Sequence, residues 1–264
     1  MIKSTANLSA IERTMIFTLR PRADEHIQSD GLFRDSQAAA WFAQVKWPTD
    51  FESIYDWKMQ TGVAIRVKIV DEVTERFMAS RAAPLVVELG AGLSTRADRL
   101  GLSQAQWLVV DLPTAIAFRQ EFALQEDSSQ QVAGSVLEMS WLDLLPPAQS
   151  EDVLFIAEGL LPFFEREQVT TLIERLRMRF PGATLAADVM GEANRANAGR
   201  RLEMIDAPAH WFVSGEQELV DVGLSLVQVW PLIAQYPHRW DEELAQLAAD
   251  PVVRNSSLIF EARL

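Results

Sequence analysis

The chain has 264 residues, 48% of them apolar, and no cysteine. That permits a large core and excludes both a disulfide framework and a thiolate metal site. A formal net charge of −13 opposes non-specific binding to nucleic acid or to an anionic membrane surface, which both require a positive field. No apolar run approaches the roughly 18 residues of a membrane span, and residues 1–7 lack the apolar stretch of a signal peptide. A cytoplasmic protein is therefore expected. His26, His210 and His238 lie far apart without metal-ligand spacing, so no metal site is expected. Arg20, Arg22 and Arg34 read as salt-bridged surface.

Residues 1–83 read as a helical cap belonging to the same domain as the rest. Leu8 to Thr18 and Gln37 to Val45 have helical periodicity, punctuated by Pro21 and Pro48. Thr61 to Met78 predicts a long helix, with Val63, Val67, Val70, Val73 and Phe77 on one face. From residue 84 onward short apolar runs alternate with helical stretches. Strands are expected at Leu85–Leu89, Trp107–Val110, Gln131–Ser135, Asp152–Ala157 and Ala183–Ala187. Helices are expected at Ser94–Leu100, Pro113–Leu124 and Arg166–Phe180. Such alternation implies right-handed βαβ crossovers and a parallel sheet. Leu224–Trp230 and Ser257–Ala262 add two strands, making seven, with a helix at Asp241–Ala249 between them. The last strand has the option of running antiparallel. Residues of about 190–222 are expected to form a lid inserted in the core.

The strongest local signal is ELGAG, Glu88 to Gly92, directly after the first strand. Glycines stand where backbone must approach a ligand closely, and the helix beginning near Ser94 turns its N-terminus toward that ligand. The second strand ends at Asp111, nineteen residues after Gly92 and followed by Leu112. A carboxylate there can accept hydrogen bonds from two ribose hydroxyls. Both S-adenosylmethionine (SAM) and NAD place a ribose at that position. The dinucleotide fingerprint wants a third glycine where Thr95 stands, and Glu88 suits a cationic ligand better than a diphosphate.

Seven segments then resemble one family in order. LVVELGAGLSTRADRL (85–100) resembles the "VVNLGAGLDTRxxRL" segment of leucine carboxyl methyltransferase-like proteins. VVDLPTAIAFRQ (109–120) resembles "DLPxVIxxR". GSVLEMSWLDLL (134–145) resembles "SxLDxSWLD", and FIAEGLLPFFEREQV (155–169) resembles "IAEGVLMYFxEEQV". RFPGATLAADVM (179–190), IERTMIFTLRPRADEH (11–26) and GVAIRVKIVDEVTERFM (62–78) complete the set.

The resemblance implies an α/β fold of the class I methyltransferase (Rossmann-like) type: a mostly parallel seven-stranded sheet with an N-terminal helical cap. It implies SAM as cofactor and methyl transfer to a carboxylate or hydroxyl of a small-molecule acceptor, in the manner of bacterial polyketide O-methyltransferases. It also implies site roles. Arg66 matches an arginine that binds the SAM carboxylate, and Gly90 matches a backbone contact. Asp111 matches the ribose acid, Ser135 and Val136 the pair flanking adenine, and Glu158 an acid near the cofactor's amino group. Four departures stand out. Ser94 replaces an Asp and is expected to serve as an N-cap, Glu138 replaces an Asp, Ser135 replaces the Asp of an Asp-Leu pair, and Pro162-Phe163 replace Met-Tyr. No catalytic residue is evident. His210 and Arg66 are the candidates, and the roof over the acceptor is expected from the N-terminal helices together with Met190 to Val213, which holds Met204, His210, Trp211 and Phe212. A homodimer is compatible with the sequence. A non-catalytic interaction protein and an NAD-dependent oxidoreductase are the competing readings, the latter lacking a Tyr-x-x-x-Lys pair.

Overall fold

A computed structural model describes residues 2–101, 105–122 and 129–264. The chain begins with helix α1 (Ala10–Ile27), then α2 (Ser36–Phe42) and α3 (Trp57–Ala79). It continues through β1 (Leu85–Leu89), α4 (Arg96–Arg99), β2 (Gln106–Asp111), α5 (Pro113–Gln120), β3 (Gln130–Ala133), β4 (Val153–Ala157), α6 (Arg166–Arg179) and β5 (Thr184–Gly191). It ends with α7 (Arg200–Glu203), β6 (Phe212–Val213), α8 (Glu216–Asp221), β7 (Ser225–Pro231), α9 (Glu242–Leu247), α10 (Pro251–Arg254) and β8 (Ser257–Arg263). The sheet order is β3-β2-β1-β4-β5-β8-β7. Only β8 runs antiparallel, against both β5 and β7. The seven expected strands are all present, and a two-residue eighth, β6, pairs with Met190–Gly191. Two residues carry no readable period, so that strand had no signature in the sequence.

Alternation along each strand divides the core into two layers. Leu85, Val87 and Leu89 of β1 join Phe155, Leu172, Leu176 and Phe260 on one face, under α6. Val86, Val109, Ile156 and Ala186 meet Ile65, Ile69, Val73 and Phe77 of α3 on the other. A third cluster, with Ile16, Phe17, Leu19, Trp41 and Phe51, holds the cap helices together and reaches Leu93 behind the glycine turn. Among the described residues no helix is long and apolar enough to cross a membrane.

Several boundaries differ from expectation. α1 does not stop before Pro21 but continues to Ile27 with Pro21 buried inside it. A proline inside a helix costs about 3 kcal/mol. Tertiary bonds made beyond it offset this: Glu25 accepts from the backbone N–H of Leu32 and from the side chains of Gln60 and Arg239. α3 begins one turn earlier than predicted because Asp56 caps it, accepting from the Met59 N–H at 2.9 Å. β5 runs four residues past its predicted end because β8 pairs with it as far as Met190. α4 is a single turn whose N-cap position belongs to Thr95, not Ser94. α5 ends at Gln120 with Glu121 as its C-cap, short of the predicted Leu124, and residues 123 and 124 lie outside those described.

Where β5 ends, the chain passes tightly under the start of β8. A Cβ added to Gly191 would lie 1.8 Å from the backbone oxygen of Asn255. Gly191→Ala is therefore expected to lower stability by about 1–3 kcal/mol or more through backbone displacement, measured as a fall in the unfolding midpoint. A midpoint unchanged within error would contradict this packing.

Candidate active site

A cavity of about 220 Å³ opens at the carboxyl ends of β1, β2 and β4. In a doubly wound sheet this is where the loops leave room for a ligand. Its floor is the turn from β1 to α4. Gly90 and Gly92 both have left-handed backbone, with φ of +63° and +51°. The neighbours that forbid a side chain belong to the protein itself. A Cβ on Gly90 would come 2.6 Å from Leu160, and one on Gly92 would come 2.9 Å from Met15. The glycines are thus required by conformation and by the close seat of α1, in addition to any ligand.

Asp111, at the tip of β2, lines the cavity. Its Oδ2 accepts from the Gly92 N–H at 2.6 Å and its Oδ1 from the Leu112 N–H at 2.7 Å. The carboxylate is thereby fixed against the glycine turn, and each oxygen keeps a second lone pair. Burial pushes its ionisation upward, and the two N–H donors only partly reverse that. Leu112, Gly134, Ser135 and Val136 form the adjoining wall. The Ser135 hydroxyl accepts from the Leu137 N–H at 3.3 Å, so it is held by its own loop.

At the tips of β1 and β4, residues far apart in the sequence build a buried ionic network. Arg66 of α3 places Nε 3.2 Å from Glu158 and Nη1 3.2 Å from Asp188. Arg96 of α4 reaches Asp71 at 2.9 Å, Glu88 at 2.8 Å and also Glu158. Arg99 bonds Asp71 as well. Burial alone would raise the Glu158 carboxyl, but Arg96 and then Arg66 overcome it and hold it down to about 2. Asp188 is pushed up by its own burial despite Arg66.

Several expected roles change. Glu88 presents no free charge to a cationic ligand. Its carboxylate is buried and satisfied by Arg96, the Ser94 hydroxyl and the Trp107 indole N–H. Ser94 offers its hydroxyl oxygen to the Arg96 N–H at 3.3 Å but is not the N-cap residue. Arg22 is not surface: it is buried and lines the cavity. His210 does not reach the cavity. Its side chain is 40% exposed, with Nδ1 3.1 Å from Glu165, while its N–H donates to the Pro162 carbonyl. That backbone bond, next to β6, ties the segment to the outside of the β4 loop. Among the described residues the cavity wall takes nothing from 190–213. Its roof is α1, through Ile11, Glu12, Met15, Thr18 and Arg22, and its rim includes Leu160, Phe163 and Phe164. Met190, Leu202 and Ile205 pack instead into the cap cluster.

Glu12, Asp71, Arg96 and Asp188 were not singled out from sequence, and Arg22 was read there as surface and not as part of a site. Glu12 and Arg22 stand in the 11–26 segment that carried the resemblance, and that was the only signal pointing to them. Glu12 accepts from the Ser9 N–H to cap its own helix, and it also bonds the Thr114 hydroxyl at the start of α5. It thereby ties the roof to the loop after Asp111.

Glu158→Gln removes the shared counter-charge of Arg66 and Arg96. We expect a loss of about 3–5 kcal/mol, the cost of removing one partner from a buried ionic cluster. Because the folded carboxyl ionises at about 2, below its ordinary 4.5, this contribution is complete above about pH 4.5 and is lost as pH falls through about 2. Unfolding curves of both proteins across that range should converge toward acid; a constant gap would refute the ionic origin.

A family model, leucine carboxyl methyltransferase, matches residues 20–177 of the chain. The tetracenomycin polyketide synthesis O-methyltransferase TcmP of Streptomyces glaucescens is 26% identical over 235 residues, 87% of this chain and 86% of its own length. The S-adenosyl-L-methionine-dependent methyltransferase dpfgK of Gibberella zeae is 21% identical, covering 72% of this chain and 68% of its own. In fold, the chain is similar to magnesium protoporphyrin IX methyltransferase from Synechocystis with bound S-adenosylhomocysteine, at a TM-score of 0.51 and 13% identity over 81% of this chain and 92% of that one. The chain belongs to the leucine carboxyl methyltransferase family and is a SAM-dependent methyltransferase of the class I, Rossmann-like fold.

Proposed function

We propose that this enzyme is an O-methyltransferase acting on a small-molecule acceptor that reaches the site already ionised: a carboxylate, or a hydroxyl made acidic by its own substituents. The observation that carries this reading is the make-up of the cavity wall. Among the described residues it contains no histidine, lysine, cysteine or tyrosine. Its acids are Glu12, Glu88, Asp111 and Glu158, and each is already bonded to donors of the protein. No wall residue is poised as a general base. A carboxylic acid with a pKa of about 4 needs none at neutral pH, whereas a phenol at about 10 does. The relative TcmP, named as an O-methyltransferase of polyketide synthesis, supports an oxygen acceptor.

The residues present fit SAM. Asp111 stands rigid at the end of β2 with lone pairs to spare for a ribose diol, and Gly134 to Val136 supply a surface for the adenine. Buried arginine and glutamate side chains at the tips of β1 and β4 suit a zwitterionic amino-acid end. When bound, SAM supplies an already activated methyl group for in-line displacement. The chain's part is alignment and exclusion of water. Leu160, Phe163 and Phe164 form an apolar rim against which a flat acceptor can lie.

Two measurements test this reading. Asp111→Asn should weaken S-adenosylhomocysteine binding roughly 10- to 100-fold, the worth of a charge-assisted hydrogen bond of about 1.5–3 kcal/mol. In the parent protein, affinity should decline as pH is lowered through the upshifted ionisation of Asp111. Calorimetry reads both, and an unchanged affinity in the variant would remove Asp111 from the cofactor site. Second, labelled methyl transfer to a panel of acceptors should favour carboxylic acids and acidic phenols. On an ordinary phenol the rate should rise about tenfold per pH unit below the phenol's own pKa, since no enzyme base assists. Transfer confined to amines or thiols would overturn the assignment.

A further inference from the structure

The roof helix carries two polar side chains in the cavity wall that bind no other element of the protein. Ile11, Thr14, Met15 and Thr18 of α1 all line the cavity. At about 3.6 residues per turn, Thr14 and Thr18 stand about 160° and about 120° round the helix from Glu12. Glu12 bonds Thr114, in the stretch after Asp111, and Met15 sits on Gly92. Thr14 and Thr18, one turn apart, therefore occupy the other edge of α1, away from Asp111.

Both hydroxyls donate back into their own helix. Thr14 Oγ1 donates to the Ile11 carbonyl at 2.5 Å, and Thr18 Oγ1 to the Met15 carbonyl at 3.2 Å. A hydroxyl has one proton and two lone pairs. With the proton spent in this way, each oxygen is left as an acceptor only. Among the described residues no donor of the protein bonds either oxygen. The rest of the wall does not duplicate this edge. Leu160, Phe163 and Phe164 are apolar. Arg22, Arg66, Arg96 and Arg99 are each paired with a carboxylate of the protein. An anionic oxygen gains nothing beside two lone-pair acceptors, whereas a neutral O–H or N–H does. The threonine edge thus sorts the groups of an incoming molecule, drawing a donor to α1 and leaving the anion elsewhere.

We propose that Thr14 and Thr18 are specificity-determining residues for the acceptor. Their oxygens accept a hydrogen bond from a neutral hydroxyl or N–H that the acceptor carries in addition to the ionised oxygen that is methylated. The acceptor is then bifunctional: an apolar body lying on the Leu160–Phe163–Phe164 side, with a donor group on the edge facing α1. This rests on the reading that the acceptor enters already ionised.

The test measures kcat and KM for labelled methyl transfer to the positional isomers of hydroxynaphthoic acid, each beside its methoxy counterpart and unsubstituted naphthoic acid. In the parent, at least one hydroxy isomer should exceed both counterparts in kcat/KM by roughly three- to tenfold, the worth of one ordinary hydrogen bond. Thr14→Val/Thr18→Val keeps the branched shape and removes both oxygens. There the preference should fall to within about 1.5-fold, through KM rather than kcat. Thr14→Ser/Thr18→Ser keeps the oxygens and should keep the preference; a purely packing role would tolerate valine and suffer from serine. Calorimetry should find S-adenosylhomocysteine affinity equal to the parent's in both variants, which reports an intact fold. The assignment is overturned if the parent favours no hydroxy isomer, or if the valine variant keeps the preference. It is also overturned if the valine variant loses S-adenosylhomocysteine affinity to the same extent, since the threonines would then serve the cofactor. A parent that binds S-adenosylhomocysteine but methylates none of these acids would instead defeat the reading of an ionised carboxylate acceptor, and the threonine assignment with it.

Discussion

The site depends on keeping a cluster of full charges out of water at the tips of β1 and β4. Glu158 is the point where this constraint is most acute, since two guanidinium groups from different helices converge on it. Arg96 and then Arg66 overcome the burial of the carboxylate. The pairing therefore fixes α3 and α4 relative to β4, and Asp188 extends the tie to β5 through Arg66. Glu88 extends it to β1 through Arg96, and Trp107 of β2 donates to Glu88 in turn. Four neighbouring strands and two helices are locked by one ionic assembly. Its geometry is set by the fold before any ligand arrives, which is the preorganisation that binding a zwitterion requires.

The second organising contact is steric. α1 lies directly on the glycine turn, with Met15 filling the space a Gly92 side chain would need. Asp111 grips the same turn from below through the Gly92 N–H. The turn is thus clamped between a helix of the cap and a strand of the sheet. Glu12 closes the arrangement by joining α1 to the first turn of α5. The cap and the sheet consequently form one cavity between them, and the roof is made by the N-terminal helix.

Much of the plan was legible in the residues. Buried strands announce themselves as short branched apolar runs, and the four at β1, β2, β4 and β8 are where expected. The glycine turn and Asp111 stand at the spacing that one strand, one short helix and another strand impose, and they do meet in the cavity. Less legible were features whose signal lies outside the local window. Pro21 reads as a stop, yet α1 passes through it because Glu25, one turn later, is anchored by Gln60 and Arg239 from remote parts of the chain. Arg22 reads as a surface residue because nothing in its neighbours reveals that Leu93 and Thr95 will fold against it. His210 reads as a lid residue because it sits among aromatics, but β6 turns the segment away from the cavity.

The sequence by itself determined the class of fold, the order of its elements, the turn that must be glycine and the acid that closes the second strand. These follow from periodicity and short spacing, which local chemistry enforces. Only the tertiary structure decided which charges neutralise one another, which helix roofs the cavity and that His210 stays outside it. Those outcomes depend on residues as far apart as Arg66 and Asp188 arriving within 3.2 Å. A buried ion pair between distant segments leaves no periodic mark, because its partners are chosen by where the packed helices and strands place them.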